Sequence, residues 1–105
     1  MEFTGKEGGE IPLDVAAQMT ANYRKQFPNK TIAHAIGFRI ILRILGQPGC
    51  VGFRTYYGID SNGEQQLIFT GVDAEGNDLY RGILADRSMP CPNFCSTKNP
   101  LNSDV

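Results

Sequence analysis

The alternation of apolar and polar residues is clearest between residues 49 and 84, and it predicts the central sheet of the protein. Segments 51–59 and 65–72 both alternate with the two-residue period of a β-strand. Each is followed by a turn sequence of the form Asp-x-x-Gly, at residues 60–63 and 73–76. Aspartate at the first position and glycine at the fourth favour a type I turn followed by a bulge. The pattern therefore predicts two consecutive hairpins.

The first of these turns also predicts the pairing register. If Asp60 and Glu64 close the hairpin, Tyr57 lies opposite Leu67, and the remaining strand residues separate onto two faces. One face carries Val51, Phe53, Thr55, Tyr57, Ile59, Leu67 and Phe69. The other, called here the second sheet face, carries Arg54, Tyr56, Gln66, Ile68, Thr70 and Val72.

The continuation of the chain predicts a third strand over residues 78–84. Its alternation is weaker, because apolar residues fall on both faces and Gly82 interrupts the segment. A short helix or an irregular segment is the alternative for residues 79–84. We take a three-stranded antiparallel meander as the expected core.

Two helices are expected before the sheet. The first should begin near Pro12, a residue suited to the first helical turn, and should end at or before Phe27 because Pro28 follows. Its apolar residues recur at helical spacing on one face: Ile11, Val15, Met19, Tyr23 and Phe27. The second should end at Leu45 with Gly46 as its left-handed cap, and either Thr31 or Gly37 marks its start.

These elements predict an α+β fold, with two helices packed on one face of a three-stranded antiparallel β-meander. The 105 residues are expected to form a single domain. Within it, residues 1–10 should be a flexible lead, residues 11–95 the folded core, and residues 96–105 a tail.

Composition and charge narrow the classes of partner. Ten basic and eleven acidic side chains give a net charge of −1, which offers no electrostatic argument for binding nucleic acid or an anionic membrane. No apolar run is long enough to span a bilayer, and the amino terminus is polar. The cytoplasm is the expected location.

The chemistry-bearing residues are few: His34, Cys50, Cys91 and Cys95. Cys91 and Cys95 have a C-x3-C spacing, which differs from the two-residue spacing of thioredoxin-like and zinc-knuckle motifs. We expect them to be packing cysteines, with a disulfide and a Cys3His zinc site as the alternatives. No catalytic constellation or cofactor-binding motif is present, so the sequence predicts no cofactor and no bound metal.

Several longer segments resemble a group of small bacterial proteins of unknown function. These are GGEIPL, TANYR, QPGCVGFRTYYGI, GVDAEGNDLY and the Pro-Cys-Pro-x-x-Cys segment near the carboxyl terminus. The resemblance implies a bacterial source and one intact domain. It implies no activity, and no functional residue is carried over from it.

The expected function is that of a small non-enzymatic binding or protein-interaction module. Two helices suffice to cover one face of the sheet, which leaves apolar residues on the second sheet face. Arg54, Tyr56, Ile68 and Tyr80 are therefore the candidate binding residues, covered by residues 90–100, by a second copy in a homodimer or by another protein partner. The alternative is a small thiol-redox or zinc-binding protein that uses Cys50, Cys91 and Cys95.

Overall fold

The computed structural model describes residues 2–104, which form two helices and five strands. In chain order these are α1 (Leu13–Gln26), β1 (Ala33–Ala35), α2 (Phe38–Leu45), β2 (Cys50–Ile59), β3 (Gln65–Asp73), β4 (Leu84–Ala85) and β5 (Met89–Cys91). The α+β class is confirmed, with two helices and a three-stranded antiparallel sheet of order β2-β3-β4. β1 and β5 form a further two-stranded antiparallel sheet.

The chain divides into two compact units. The first contains residues 2–8 and Ile36–Ser88, and therefore holds α2 and the sheet β2-β3-β4. The second contains Gly9–Ala35 and residues 89–104, and therefore holds α1 and the pair β1-β5.

Both predicted turns of the first unit are confirmed. Asp60 closes the first hairpin, because its N–H donates to the carbonyl oxygen of Glu64 at 2.9 Å. Its carboxylate oxygen Oδ1 accepts the N–H groups of Asn62 and Glu64, also at 2.9 Å. The fourth turn residue, Gly63, has φ 79° and so lies in the left-handed region that glycine enters without strain. Asp73 closes the second turn through the same set of bonds.

The predicted register of the first hairpin is also confirmed. Tyr57 pairs with Leu67, and Thr55 pairs with Phe69. The pairing is regular from Gly52 to Ile59, and a bulge falls at the start of β2. Side chains of β2 and β3 therefore separate onto the two faces that their alternation predicted.

α2 packs on the Phe69 face of this sheet. It begins after Gly37, so the alternative start at Thr31 is wrong, and residues 33–35 form strand β1 instead. It ends at Leu45 as predicted, but the left-handed cap is wrong: Gly46 has φ −79° and continues the right-handed turn, with its N–H donating to the Leu42 carbonyl oxygen at 2.9 Å. Ile44 of α2, Phe69 and Ala85 are buried together. Five partly buried side chains pack against them: Ile36, Ile40, Ile41, Leu67 and Ile83. This small cluster is the apolar core of the first unit.

The third strand is much shorter than predicted. Only Leu84–Ala85 pairs with β3, and Asp78 makes a single bridge to Val72. The prediction of a strand over residues 78–84 is therefore wrong, and the irregular alternative holds for residues 79–83. The side chain of Gln47 explains the interruption, because its Oε1 accepts the N–H of Ile83 at 2.8 Å. A backbone donor held by this amide is not available to a β-ladder.

The second unit is built from both ends of the chain. α1 runs from Leu13 to Gln26, within the predicted limits. β1 pairs with β5, so that Ala33 lies opposite Cys91 and Ala35 opposite Met89. None of the residues of α1 is buried, and its apolar stripe is 40–60% exposed.

Candidate functional site

A cavity of about 570 Å³ lies within the second unit. Three of the four chemistry-bearing residues line it: His34, Cys91 and Cys95. α1 contributes Thr20 to its wall, and β1 and the segment before it contribute residues 32–35. The remaining wall comes from the carboxyl-terminal segment, with Cys91, Phe94, Cys95, Ser96, Asn99, Leu101 and Asn102. Most of these side chains are apolar, which is typical of sites that bind small molecules.

Cys91 and Cys95 form a disulfide at the edge of this cavity. The expectation that they are two separate packing cysteines is wrong, and the disulfide alternative holds. The geometry follows from the short loop, since the Cα atoms of the two residues lie 4.8 Å apart, within the range that a disulfide bridges. The backbone N–H of Phe94 donates to the Pro90 carbonyl oxygen at 2.8 Å and closes the same turn.

His34 also lines the cavity. It is the central residue of β1 and lies opposite Pro90 of β5. The strand pair therefore brings His34 and the two disulfide sulfurs to one site, although 57 residues separate His34 from Cys91. Sequence spacing alone could not reveal this proximity.

The carboxyl-terminal wall of the cavity is held by side chains that the sequence analysis did not select. Nη1 of Arg24 donates to the Leu101 carbonyl oxygen at 2.9 Å, and its Nη2 binds Asp104 Oδ1 at 3.0 Å. Asn99 and Asn102 bond the segment to itself, for example through the Leu101 N–H and Asn99 Oδ1 at 2.8 Å. The expected tail is thus a hydrogen-bonded turn that contacts α1.

Cys50 lies in the first unit, at the start of β2. Its Sγ is half-buried and donates to the Gly52 carbonyl oxygen at 3.1 Å. A Cβ on Gly71 would lie 3.0 Å from this sulfur, so the glycine makes room for it. The Cys3His zinc alternative needs Cys91 and Cys95 as thiolates, whereas their sulfurs are bonded to each other. Among residues 2–104 no group of three or more His, Cys, Asp or Glu side chains could hold a metal ion.

The second sheet face carries a polar cluster that the sequence did not predict. Asp78 binds two of the candidate binding residues, because one carboxylate oxygen accepts Arg54 Nη1 and the other accepts the Tyr56 hydroxyl. Nη2 of Arg54 also donates to the Gly76 carbonyl oxygen at 3.2 Å. The hydrogen bond to Asp78 raises the pKa of Tyr56 above its ordinary value of 10.0, and desolvation raises it further. The same carboxylate raises the pKa of Arg54.

The other two candidate binding residues are Ile68 and Tyr80. Ile68 is half-buried and pairs with Tyr56 in the sheet. Tyr80 lies in the irregular segment before β4, where the guanidinium of Arg81 sits 5.5 Å from its ring centroid. It lines a smaller cavity of about 330 Å³, together with Gln47, Pro48, Asp78, Leu79, Arg81 and Gly82.

Phe3 covers the start of the second sheet face, which the sequence did not predict. Its N–H donates to the Ala74 carbonyl oxygen at 2.9 Å. Its ring lies so close to Gly52 that a Cβ there would come within 2.6 Å of it. Only glycine permits this approach, and Gly52 pairs directly with the buried Val72. The amino-terminal segment thus contributes to the packing of the first unit.

Comparisons with known proteins add no family to this description. No protein-family model, no curated protein and no solved structure matches the chain. Within residues 2–104, no helix is sufficiently long and apolar to cross a membrane.

Proposed function

We propose that this protein is a small binding module without catalytic chemistry, and that the cavity of the second unit is its ligand site. The observation that carries the proposal is the cavity itself. Its volume of about 570 Å³ falls within the roughly 300–1,000 Å³ of small-molecule pockets. A disulfide and the Arg24 contacts hold its carboxyl-terminal wall, so the site is formed before a ligand arrives, which lowers the entropic cost of binding.

The residues that line the cavity favour a small apolar or aromatic molecule as the ligand. Ile32, Ala33, Ala35, Phe94 and Leu101 supply apolar surface. The polar groups of the wall are largely engaged within the protein. The Thr20 hydroxyl, for example, donates to the Ala17 carbonyl oxygen at 3.1 Å. The lining residues include no Asp, Glu, Lys or Arg side chain, so burial of a strongly charged ligand is disfavoured.

Titration of the isotope-labelled protein with indole and with cyclohexanol tests this proposal. The readout is the set of backbone amide chemical shifts in NMR spectra. We expect shifts confined to the cavity-lining residues. Ala33→Leu should weaken binding at least tenfold, because the added atoms occupy the cavity opposite Cys91. Ala74→Leu, the same change in a turn of the first unit, is the control and should leave binding unchanged. Absence of shifts with both probes would refute the proposal, as would equal binding by Ala33→Leu.

Thiol–disulfide exchange is a second candidate function, favoured by the position of the disulfide at the cavity. A substrate dithiol would be oxidised to a disulfide while the Cys91–Cys95 bond is reduced to two thiols, with two electrons and two protons transferred. Oxidation of a reduced dithiol peptide by stoichiometric amounts of the protein tests this. Cys95→Ser should abolish the reaction and Cys50→Ser should not. If the parent oxidises the peptide no faster than the Cys95→Ser variant does, this function is excluded.

The bacterial source and the cytoplasmic location are part of the proposal. Location bears directly on the disulfide, because cytosolic proteins generally keep their thiols reduced. Rapid acid quenching of cells, followed by thiol alkylation, would measure the redox state of the three cysteines. Three alkylated cysteines would support a reduced, cytoplasmic protein, whereas one alkylated cysteine would place the chain in an oxidising compartment.

A further inference from the structure

Strand β2 presents an open edge in the first unit. It runs for ten residues and, within residues 2–104, pairs with β3 alone. Phe3 and Gly5 lie beside its first residues, Val51 and Gly52. Residues 53–59 are left with one side of the backbone open. Such an edge is a ready template for another strand.

The edge lacks the features by which proteins usually block such pairing. Residues 53–59 contain no proline and no lysine, and the only bulge lies before them. Arg54 is their single charged residue, and its guanidinium is engaged by Asp78 on the second sheet face. Nothing in the edge sequence therefore opposes the approach of a second strand.

Large apolar side chains of β2 are exposed along the open edge. Phe53, Tyr57 and Ile59 project from β2 on the face that carries α2, with exposures of 44%, 84% and 77%. α2 itself exposes Phe38, Leu42 and Leu45, which lie on a flank of the helix away from the buried Ile44. With the half-exposed Tyr56, the β2 side chains offer roughly 500 Å² per copy, taking about 200 Å² for each free side chain. The open backbone of residues 53–59 and the exposed side chains of α2 would supply the rest of the roughly 800 Å² that a stable interface needs from each partner.

We propose that β2 pairs antiparallel with β2 of a second copy of this chain, with Tyr56 on the two-fold axis. The two three-stranded sheets then join into one six-stranded sheet, with both α2 helices on the same face. A self-complementary edge favours an identical partner, because a two-fold axis uses the same surface twice. This inference is independent of the ligand site proposed for the second unit.

The register follows from the direction of the backbone groups. The N–H of Asp60 points toward β3, since it donates to Glu64. By alternation, the N–H and C=O groups of Phe53, Thr55, Tyr57 and Ile59 point to the open edge. An axis at Tyr56 places Phe53 opposite Ile59 of the partner subunit and Thr55 opposite Tyr57 of the partner subunit. All four residues then pair, which gives about eight main-chain hydrogen bonds.

The same register avoids charge repulsion and steric clashes between the two β2 strands. Arg54 lies opposite Gly58 of the partner subunit, so the two guanidinium groups do not oppose each other, and the missing side chain leaves room for Arg54. Phe53 meets Ile59 of the partner subunit on the apolar face, a favourable cross-strand pair. Tyr56 faces its own copy in a non-hydrogen-bonded position, where Cα atoms approach to about 4.5 Å.

Sedimentation equilibrium on the full chain tests the assembly. We expect twice the chain mass of 11.5 kDa at micromolar concentration. Tyr57→Pro should yield a monomer with an unchanged far-ultraviolet spectrum, because the lost N–H faces the open edge and not β3. Tyr57→Ala retains this N–H and should dissociate less than Tyr57→Pro. A parent protein that stays monomeric up to millimolar concentration would overturn the proposal, as would a dimeric Tyr57→Pro variant.

Cross-linking tests the register and does not depend on the proline variant. In a Cys50→Ser background, Tyr56→Cys should form an intermolecular disulfide under mild oxidation, because residue 56 faces its own copy across the axis. Thr55→Cys is the matched control, since two copies of residue 55 would lie beyond the roughly 7 Å limit for a disulfide. Equal cross-linking of the two variants, or none by Tyr56→Cys, contradicts the register.

Discussion

Replacement of Gly63 by valine tests whether the left-handed turn position stabilises the first hairpin. Gly63 has φ 79°, and a Cβ added there meets no heavy atom within 4 Å. The substitution therefore introduces backbone strain without a steric clash. A left-handed conformation costs an L-residue about 1–2 kcal/mol, and a β-branched side chain is at the upper end. Reduced entropy of the unfolded chain offsets about 0.4–1 kcal/mol.

We therefore expect Gly63→Val to lower the free energy of unfolding by about 1 kcal/mol or more, which corresponds to a melting temperature lower by about 4–8 °C in a domain of this size. Urea denaturation followed by circular dichroism measures it. Gly63→Asn should cost less, because asparagine tolerates this conformation. Gly9→Val is the control, since Gly9 also has open space around it but no positive φ. A Gly63→Val variant as stable as the parent would refute the reasoning, as would an equally large loss in Gly9→Val.

Three further predictions concern single side chains. The hydrogen bond from the Glu64 N–H lowers the pKa of Asp60 below its ordinary value of 3.8. The Asp60 carboxylate therefore stabilises the fold above this ordinary value, and that stabilisation is lost as the pH falls through the lower pKa of the folded state. Asp60→Asn should flatten the acid limb of a stability–pH curve. Gln47→Leu should cost about 1–3 kcal/mol in urea denaturation, because the N–H of Ile83 loses its partner. Cys91→Ser should lower the melting temperature of the oxidised protein to that of the reduced parent, since both lack a cross-link worth about 2 kcal/mol for so short a loop.

Sequence reasoning succeeded where the determining chemistry is local. The two Asp-x-x-Gly turns predicted their own hydrogen bonds, and the turn at residues 60–63 then predicted the register of β2 and β3. Pro28 likewise predicted where α1 ends, and Gly37 was one of the two starts considered for α2. In each case a backbone conformation is determined by residues within one turn of it.

It failed where a distant side chain decides the outcome. Residues 78–84 alternate weakly, and the amide of Gln47, 36 residues before Ile83, takes the donor that a longer strand would need. Phe3 is one aromatic residue in a glycine-rich segment, and only the close approach to Gly52 reveals its role. Asp78 carried no signal of its own, although it is the group that joins Arg54 to Tyr56.

The candidate cavity was beyond sequence reasoning for a topological reason. Its walls come from both ends of the chain, and β1 and β5 bring them together at Ala35 and Met89. The whole segment Ile36–Ser88 is inserted between these two residues and forms most of the first unit. A pattern read along the chain shows His34 near α2 and Cys91 in a proline-rich tail, with no indication that they share a site. The β1-β5 pair supplies that information, because antiparallel pairing places the residue before the insertion opposite the residue after it. The disulfide then closes the turn directly after β5, so the redox state of Cys91 and Cys95 determines how firmly one wall of the cavity is held.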